Sequence, residues 1–213
     1  MTGKILLMIT LAAFSVTAQA SEYRVSAFSS EGLGGWEAKS FKGTTVYSLM
    51  RDDDRTVVKA VSKGTASGLF KKVKLDPKNF RYLRWSWKIA GTVKNGDETT
   101  KAGDDYAARV YVVFPGRFFW QTKAINYIWA NRLARGEAIP NAFTSHAMML
   151  AVESGPGRAG QWLAEERDIL ADYRRLFGDE PREIGAIAIM TDTDNTSSEA
   201  TAWYGDITLS TAR

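Results

Sequence analysis

The chain has 213 residues, of which 28 are Lys or Arg, 24 are Asp or Glu and one is His, giving a formal net charge of +4. Because it has no cysteine and only one histidine, His146, it lacks the residues for a disulfide, a thiolate nucleophile or a zinc site of several His or Cys ligands. The basic residues are scattered, without a run of five, so no nucleic-acid partner is expected.

The first twenty residues have the pattern of a secretory signal peptide. Lys4 gives a positive start, Ile5 to Val16 form an apolar segment, and Ala18-Gln19-Ala20 is a small-x-small cleavage site. The apolar segment is shorter than the roughly 20 residues that span a membrane, and no later segment is apolar enough. The sequence therefore predicts a cleaved signal peptide at 1–20, one domain at 21–213 without a transmembrane segment, and a periplasmic or secreted location.

Strand patterns dominate the rest of the chain. Leu83, Trp85, Trp87 and Ile89 alternate with polar residues over Tyr82–Ile89, and a similar alternation runs over Asp105–Phe114. Weaker patterns predict strands at Trp36–Phe41, Thr45–Met50, Thr56–Ser62, Leu69–Val73, Ala124–Ala130, Ala147–Glu153, Ile184–Met190 and Ala200–Leu209. Turn-forming clusters separate them.

One helix is expected near residues 168–177. Asp168 can cap it, Ile169 and Tyr173 lie on one helical face, and Gly178 can end it. Many short strands with one short helix favour an all-β fold, a two-sheet β-sandwich of jelly-roll type. A βαβ arrangement would need helical segments between the strands.

The segment after the Ile184–Met190 strand is a candidate cation site. Asp192, Asp194 and Asn195 place three oxygen-bearing side chains within four residues, and calcium prefers such ligands. The same residues also favour an Asx-turn, in which they bond nearby backbone amides. A structural calcium ion is therefore one interpretation and a simple turn the other; no further cofactor is indicated.

Polar and aromatic side chains on several strands suggest a ligand surface. Every second residue of a strand points to the same face of its sheet. If the strands are neighbours, the residues opposite the large apolar side chains would form one shared polar sheet face. They are Arg84, Lys88, Arg109, Tyr111, Tyr204 and Asp206. Rings and charged hydrogen-bonding groups suit sugars, whereas an outward sheet face is ordinarily just solvated.

Aromatic residues are also crowded between Phe118 and Trp129. Phe118 to Trp120 follow Pro115-Gly116, so Trp120 is the candidate for an exposed stacking or partner-binding position. The other rings are equally compatible with core packing.

Two enzymatic arrangements remain open. Asp104 and Asp105 would point to opposite faces of a strand, so a hydrolase would have to pair one of them with Asp192, Asp194 or Glu153. A polysaccharide lyase would use Tyr111 or His146 as base beside Arg109.

Several segments together resemble a known family. They are Ala66-Ser-Gly-Leu69, Leu83–Lys88, Gly103–Tyr111, Asn126-Tyr-Ile-Trp129, Glu166–Asp168 with Asp172-Tyr173, and Met190–Thr196 continuing to Trp203–Asp206. In this order they resemble the exported bacterial proteins called domain of unknown function 3047, over about residues 23–210. That family implies no activity and no catalytic residue. The layout is also similar, at the level of fold, to galactose-binding-like carbohydrate-binding modules.

The leading hypothesis is an exported, non-catalytic binding module for a carbohydrate or cell-envelope glycan. A glycan hydrolase or lyase on the same scaffold is the first alternative. A structural envelope protein that docks a protein partner is the second.

Overall fold

The computed structural model describes residues 21–213, and the predicted signal peptide at 1–20 lies outside the described residues. Fourteen strands and two α-helices occur in this range. None of the helices in residues 21–213 is long and apolar enough to cross a membrane.

The strands form two seven-stranded sheets. Sheet A contains β1 (Glu22–Arg24), β3 (Val46–Asp52), β4 (Arg55–Lys63), β6 (Tyr82–Ile89), β11 (Leu163–Asp168), β13 (Glu199–Tyr204) and β14 (Thr208–Ser210). Sheet B contains β2 (Glu37–Lys42), β5 (Ala66–Leu75), β7 (Arg109–Phe114), β8 (Lys123–Ala130), β9 (Ala138–Asn141), β10 (Thr144–Ser154) and β12 (Ile184–Asp192).

The strand order is β1-β14-β6-β13-β4-β3 in sheet A, with β11 on the other edge of β6, and β2-β5-β12-β7-β8-β10-β9 in sheet B. Strands β8 and β10 pair in parallel, and the other strand pairs in residues 21–213 are antiparallel.

The core lies between the two sheets and is rich in aromatic rings. Trp85 of β6 stacks on Tyr127 of β8 with ring centroids 5.4 Å apart, and Trp87 meets Trp129 at 5.9 Å. These inward side chains are the apolar half of the alternation predicted for Tyr82–Ile89. Burying such large rings is the dominant stabilising contribution available to a chain without disulfides.

Helix α2 (Ile169–Phe177) closes one end of the sandwich, and a single helical turn, α1 (Phe28–Glu31), precedes β2. The Asp168 side chain caps α2 by accepting a hydrogen bond from the Ala171 amide at 3.0 Å. Gly178 ends the helix in the left-handed conformation, where glycine is favoured. Tyr173 then packs edge-on against Phe114 at 4.7 Å.

The predicted fold class is confirmed: the chain is a two-sheet β-sandwich with one short helix beginning after Asp168. The structure adds strands that the sequence did not indicate, namely β1, β9 and β11. The segment predicted as one strand over Ala200–Leu209 is interrupted and forms β13 and β14.

Candidate functional site

An open cleft of about 480 Å³ lies on the outer face of sheet B. Its floor comes from the central strands, with Arg109 and Tyr111 on β7, Asn126 on β8, Met149 on β10 and Met190 on β12. These side chains have the outward parity of their strands, since their neighbours Val110, Val112, Tyr127 and Ile189 point into the core.

Arg109 is the buried cation of the cleft. Its guanidinium lies 4.7 Å from the Tyr106 ring centroid and 5.4 Å from that of Tyr111. Its Nη2 pairs with Asp192 Oδ2 and also donates to the Met190 sulfur at 3.4 Å. Stacking and pairing fix the guanidinium plane.

Three buried polar atoms in the cleft have no hydrogen-bond partner within residues 21–213. They are Arg109 Nε, which is a donor, and Asn126 Oδ1 and Asp192 Oδ1, which are acceptors. Leaving such an atom unpaired costs about 1–3 kcal/mol, more for a charged group. Folding has therefore placed one donor and two acceptors where a ligand could satisfy them.

Two exposed phenylalanines also line the cleft. Phe41, at the end of β2, is 58% exposed, and Phe143, in the turn between β9 and β10, is 57% exposed. Lys39 lies 5.1 Å from the Phe41 ring and Lys101 5.4 Å from the Phe143 ring. The cleft thus combines a polar floor with apolar rings at its mouth.

Carboxylates gather where β12 ends and β7 begins. Asp105, Asp192 and Asp194 have carboxylate oxygens within 4.8 Å of one another. Asp104 lies close by and accepts hydrogen bonds from Tyr106 Oη and Asn141 Nδ2, both at 2.9 Å. Burial raises the pKa of Asp192, and the neighbouring carboxylates add to the rise while Arg109 opposes it.

Asp105 holds the loop that carries Asp194 and Asn195. Its Oδ2 accepts from the Thr196 amide at 2.6 Å, and its Oδ1 accepts from the Asn195 amide at 3.2 Å. The Asn195 side-chain nitrogen donates to Asp105 and Asp194, both at 3.3 Å. The loop amides are therefore bonded by Asp105, which is distant in sequence, and not by the loop's own side chains as in the Asx-turn that the sequence suggested.

The requirements of the enzymatic alternatives are met only in part. Arg109 and Tyr111 do lie side by side, as a lyase would need. Burial, however, raises the pKa of Tyr111, with Arg109 only partly opposing it, so the phenol is not prepared to act as a base. His146 is exposed, beside Trp120 and outside the residues that line the cleft.

The prediction of one shared polar face is wrong. Arg84 and Lys88 lie on β6 in sheet A, whereas Arg109 and Tyr111 lie on β7 in sheet B. Arg84 donates to Glu166 at 2.7 Å, Lys88 to Asp52 at 2.7 Å, and Asp206 accepts from the Phe28 amide at 2.7 Å. Each of the three therefore has a structural partner, and none of them lines the cleft on sheet B.

The outward orientation predicted for Tyr204 is also wrong. Tyr204 is fully buried, and its hydroxyl donates to the Met190 carbonyl at 2.7 Å while accepting from the Arg109 amide at 3.3 Å. Its hydroxyl therefore ties β13 of sheet A to β12 and β7 of sheet B, directly beneath the cleft. The parity reverses between β13 and β14: Tyr204 pairs with Trp87 and Thr208 with Arg84, so three intervening residues lie opposite two.

Trp120 is exposed, as expected, and lies in a short turn of 3₁₀-helix between β7 and β8. Its ring stacks on Phe118 with centroids 4.8 Å apart and an interplanar angle of 5°. A shallow depression beside it includes Thr144 and Ala147, which also line the cleft. Trp120 thus lies at a continuation of the cleft along β8 and β10.

Sequence reasoning missed three residues that shape the cleft: Asn126, Phe41 and Phe143. Asn126 did leave a signal, since it is the one amide within the apolar strand sequence Ala124–Ala130. Phe41 and Phe143 left none, because an aromatic residue at a strand end or in a turn can equally well be exposed or packed into the core.

The fold and site define a β-sandwich protein with an open, partly acidic cleft on the outer face of one sheet. The chain belongs to the family described as "Protein of unknown function (DUF3047)", whose model matches residues 34–208. No curated protein matches it in sequence.

Several solved structures are similar to the chain. A point mutant of a family 29 carbohydrate-binding module complexed with cellulohexaose is 11% identical, with a TM-score of 0.46, covering 92% of this chain and 94% of that one. A family 30 carbohydrate-binding module of a Clostridium thermocellum cellulosomal cellulase is 9% identical, with a TM-score of 0.47, covering 89% and 96%. The K1 cleaved adhesin domain of Lys-gingipain from Porphyromonas gingivalis W83 is 13% identical, with a TM-score of 0.44, covering 92% and 100%.

Proposed function

We propose that the protein is an exported, non-catalytic binding module and that a carbohydrate binds in the sheet B cleft. The observation that carries this proposal is the pair of buried, unpartnered polar atoms on the cleft floor, Arg109 Nε and Asn126 Oδ1. A sugar hydroxyl both donates and accepts, so neighbouring hydroxyls on one ring can satisfy the donor and the acceptor together. A purely apolar ligand would leave both unpaired.

The aromatic rings at the cleft mouth support the same ligand class. Phe41 and Phe143 expose ring faces beside a polar floor, and sugars present C–H faces as well as hydroxyl edges. Trp120 offers a further ring where the cleft continues along β8 and β10. Because these rings line two adjoining depressions and not one, an oligosaccharide suits them better than a single sugar.

Binding without turnover is supported by the hydrogen-bond partners of the carboxylates and by the protonation of Tyr111. Each carboxylate of the cluster already has a partner within the protein: Asp105 accepts from the Asn195 and Thr196 amides, Asp192 pairs with Arg109, and Asp194 accepts from the Asn195 side chain. Burial keeps Tyr111 protonated, because it raises the pKa of the phenol. These contacts favour holding a ligand over transferring a proton.

The proposal is tested by a glycan array, followed by calorimetric titration of the best-bound oligosaccharide. Phe143→Ala removes a stacking ring and should weaken binding about ten-fold, which corresponds to about 1.4 kcal/mol. Val46→Ala is the control, since Val46 is 60% exposed on β3 of sheet A and is not among the residues that line the cleft. Both variants should melt close to wild type, because both side chains are exposed.

Two results would contradict the proposal. One is the absence of any bound glycan on the array. The other is an equal loss of affinity in Phe143→Ala and Val46→Ala, which would place the ligand outside the cleft. Release of new reducing ends from a bound glycan would instead favour the hydrolase alternative.

A further inference from the structure

We infer that Asp105, Asp192 and Asp194 form a calcium-binding site at the acidic end of the cleft. No two of their ligand oxygens are more than 4.8 Å apart, so none is too distant from the others to share a calcium ion, whose ligands lie about 2.4 Å from it. The three residues come from two chain segments that the sheet B pairing brings together, the approach to β7 and the end of β12.

A group of carboxylates is common on protein surfaces, so the assignment depends on a second observation. Asp192 is only 2% exposed, and its Oδ1 has no hydrogen-bond partner within the described residues, although Oδ2 pairs with Arg109. A buried carboxylate oxygen ordinarily takes a donor or a cation. The Asp192 carboxylate belongs to the cluster with Asp105 and Asp194, and a cation bound there would supply the partner that its Oδ1 lacks.

The charge balance around the cluster points the same way. Asp104, Asp105, Asp192 and Asp194 contribute four carboxylates, against the buried Arg109 and the Lys42 ammonium, which is 63% exposed and 3.9 Å from Asp194. Like charges at this spacing repel strongly in a partly desolvated site. A divalent cation would offset the excess of two carboxylates.

The site is held in place by bonds that do not involve a cation. Asp105 accepts from the Thr196 amide, and Thr193 Oγ1 meets Ser62 Oγ at 2.8 Å and accepts from the Gly64 amide at 2.9 Å. The loop that carries Asp194 is thus anchored on both sides. Such preorganisation lowers the ordering cost of binding an ion.

This set differs from the one that the sequence indicated. Asp105 replaces Asn195, whose side-chain nitrogen donates to Asp105 and Asp194 and so presents a donor rather than a ligand oxygen. The sequence suggested Asp105 only as a possible hydrolase partner of Asp192 or Asp194, and not as a cation ligand, because 87 positions separate it from Asp192.

The experiment uses the full mature chain, stripped of metal with a chelator and dialysed free of it. Calcium chloride is titrated calorimetrically, and thermal melts are recorded with calcium, with magnesium and with chelator. We expect one calcium per chain and a melting temperature that rises with calcium, because an ion that binds only the native state stabilises it by mass action. Magnesium, which demands stricter octahedral geometry, should have a smaller effect.

Asp194→Asn and Asp192→Asn should each lower calcium affinity at least ten-fold. Asp194 lies at the edge of the cluster, so its variant keeps the test valid should Asp192→Asn fail to fold. Asp54→Asn, at the exposed tip of the β3–β4 hairpin, is the matched control and should bind calcium like wild type.

Absence of calcium binding to the wild type would overturn the inference, as would equal stabilisation by magnesium or unchanged affinity in both cluster variants. Since no glycan is present in these measurements, their failure would leave the carbohydrate proposal standing, and the reverse also holds.

Discussion

Glu165 is expected to make the stability of this protein depend on pH. It lies on β11, is only 8% exposed, and accepts a hydrogen bond from Trp87 Nε1 at 3.2 Å. Burial raises the pKa of Glu165 to about 7, and the nearby Glu153 adds to the rise, whereas the bond from Trp87 opposes it. In the unfolded chain the same group would titrate near its ordinary value of 4.5.

The sign follows from proton binding. Between about pH 4.5 and 7 the native state holds a proton on Glu165 that the unfolded chain has lost, so the free energy of unfolding falls as pH rises through this window. A shift from 4.5 to about 7 corresponds to at most about 3 kcal/mol, at about 1.4 kcal/mol per pKa unit. Below pH 4.5 the effect disappears because both states are protonated.

Glu165→Gln removes the charge and keeps an oxygen that can accept from Trp87. We expect the variant to match wild type near pH 4 and to exceed it by about 1–3 kcal/mol at pH 8. Urea unfolding of both proteins across pH 4–9 measures the difference, in which the other titrating groups cancel. Glu166→Gln, in the neighbouring position and paired with Arg84, is the control and should not show the same window. A stability difference that does not change with pH would refute the reasoning.

The remaining predictions concern the buried ion pair and export. Arg109→Ala leaves the Asp192 carboxylate buried without its partner and should cost about 3–5 kcal/mol in chemical unfolding, at least as much as the roughly 1–3 kcal/mol expected for Val110→Ala. An Arg109→Ala protein that unfolds like wild type would show that the pair is not buried in solution. Protein isolated from the native host should begin at Ser21 when its N-terminus is sequenced, and an intact Met1 in exported protein would contradict cleavage after Ala20.

Local alternation was enough to predict much of the fold. The strand at Tyr82–Ile89 has the predicted bounds, with its tryptophans inward and Arg84 and Lys88 outward. Strand β11 was missed because Glu165, Glu166 and Arg167 suggest a solvated segment, whereas Glu165 finds a buried partner in Trp87 on the adjacent strand. A charge whose partner comes from another strand cannot be recognised from its own segment.

The site was only partly predictable for a related reason. Strand parity shows which side chains share a face of one strand, but long-range pairing decides which strands share a sheet. The sequence therefore led to the same prediction for Arg84 and Arg109, an outward position on a shared face, although they lie on different sheets. Tyr204 shows a second limit. An uninterrupted strand would place Tyr204 and the exposed Asp206 on the same face, but one additional residue between β13 and β14 reverses the alternation, and Tyr204 points into the core.

A glycan bound in the sheet B cleft would be detected directly by nuclear magnetic resonance. A titration of the ¹⁵N-labelled protein with the oligosaccharide bound best on the array follows the side-chain N–H signals of Arg109 Nε and Asn126 Nδ2. We predict that these two signals shift together and saturate, while the Arg84 Nε signal on sheet A stays in place. Shifts confined to Arg84 and its neighbours, with Arg109 and Asn126 unchanged, would contradict the account.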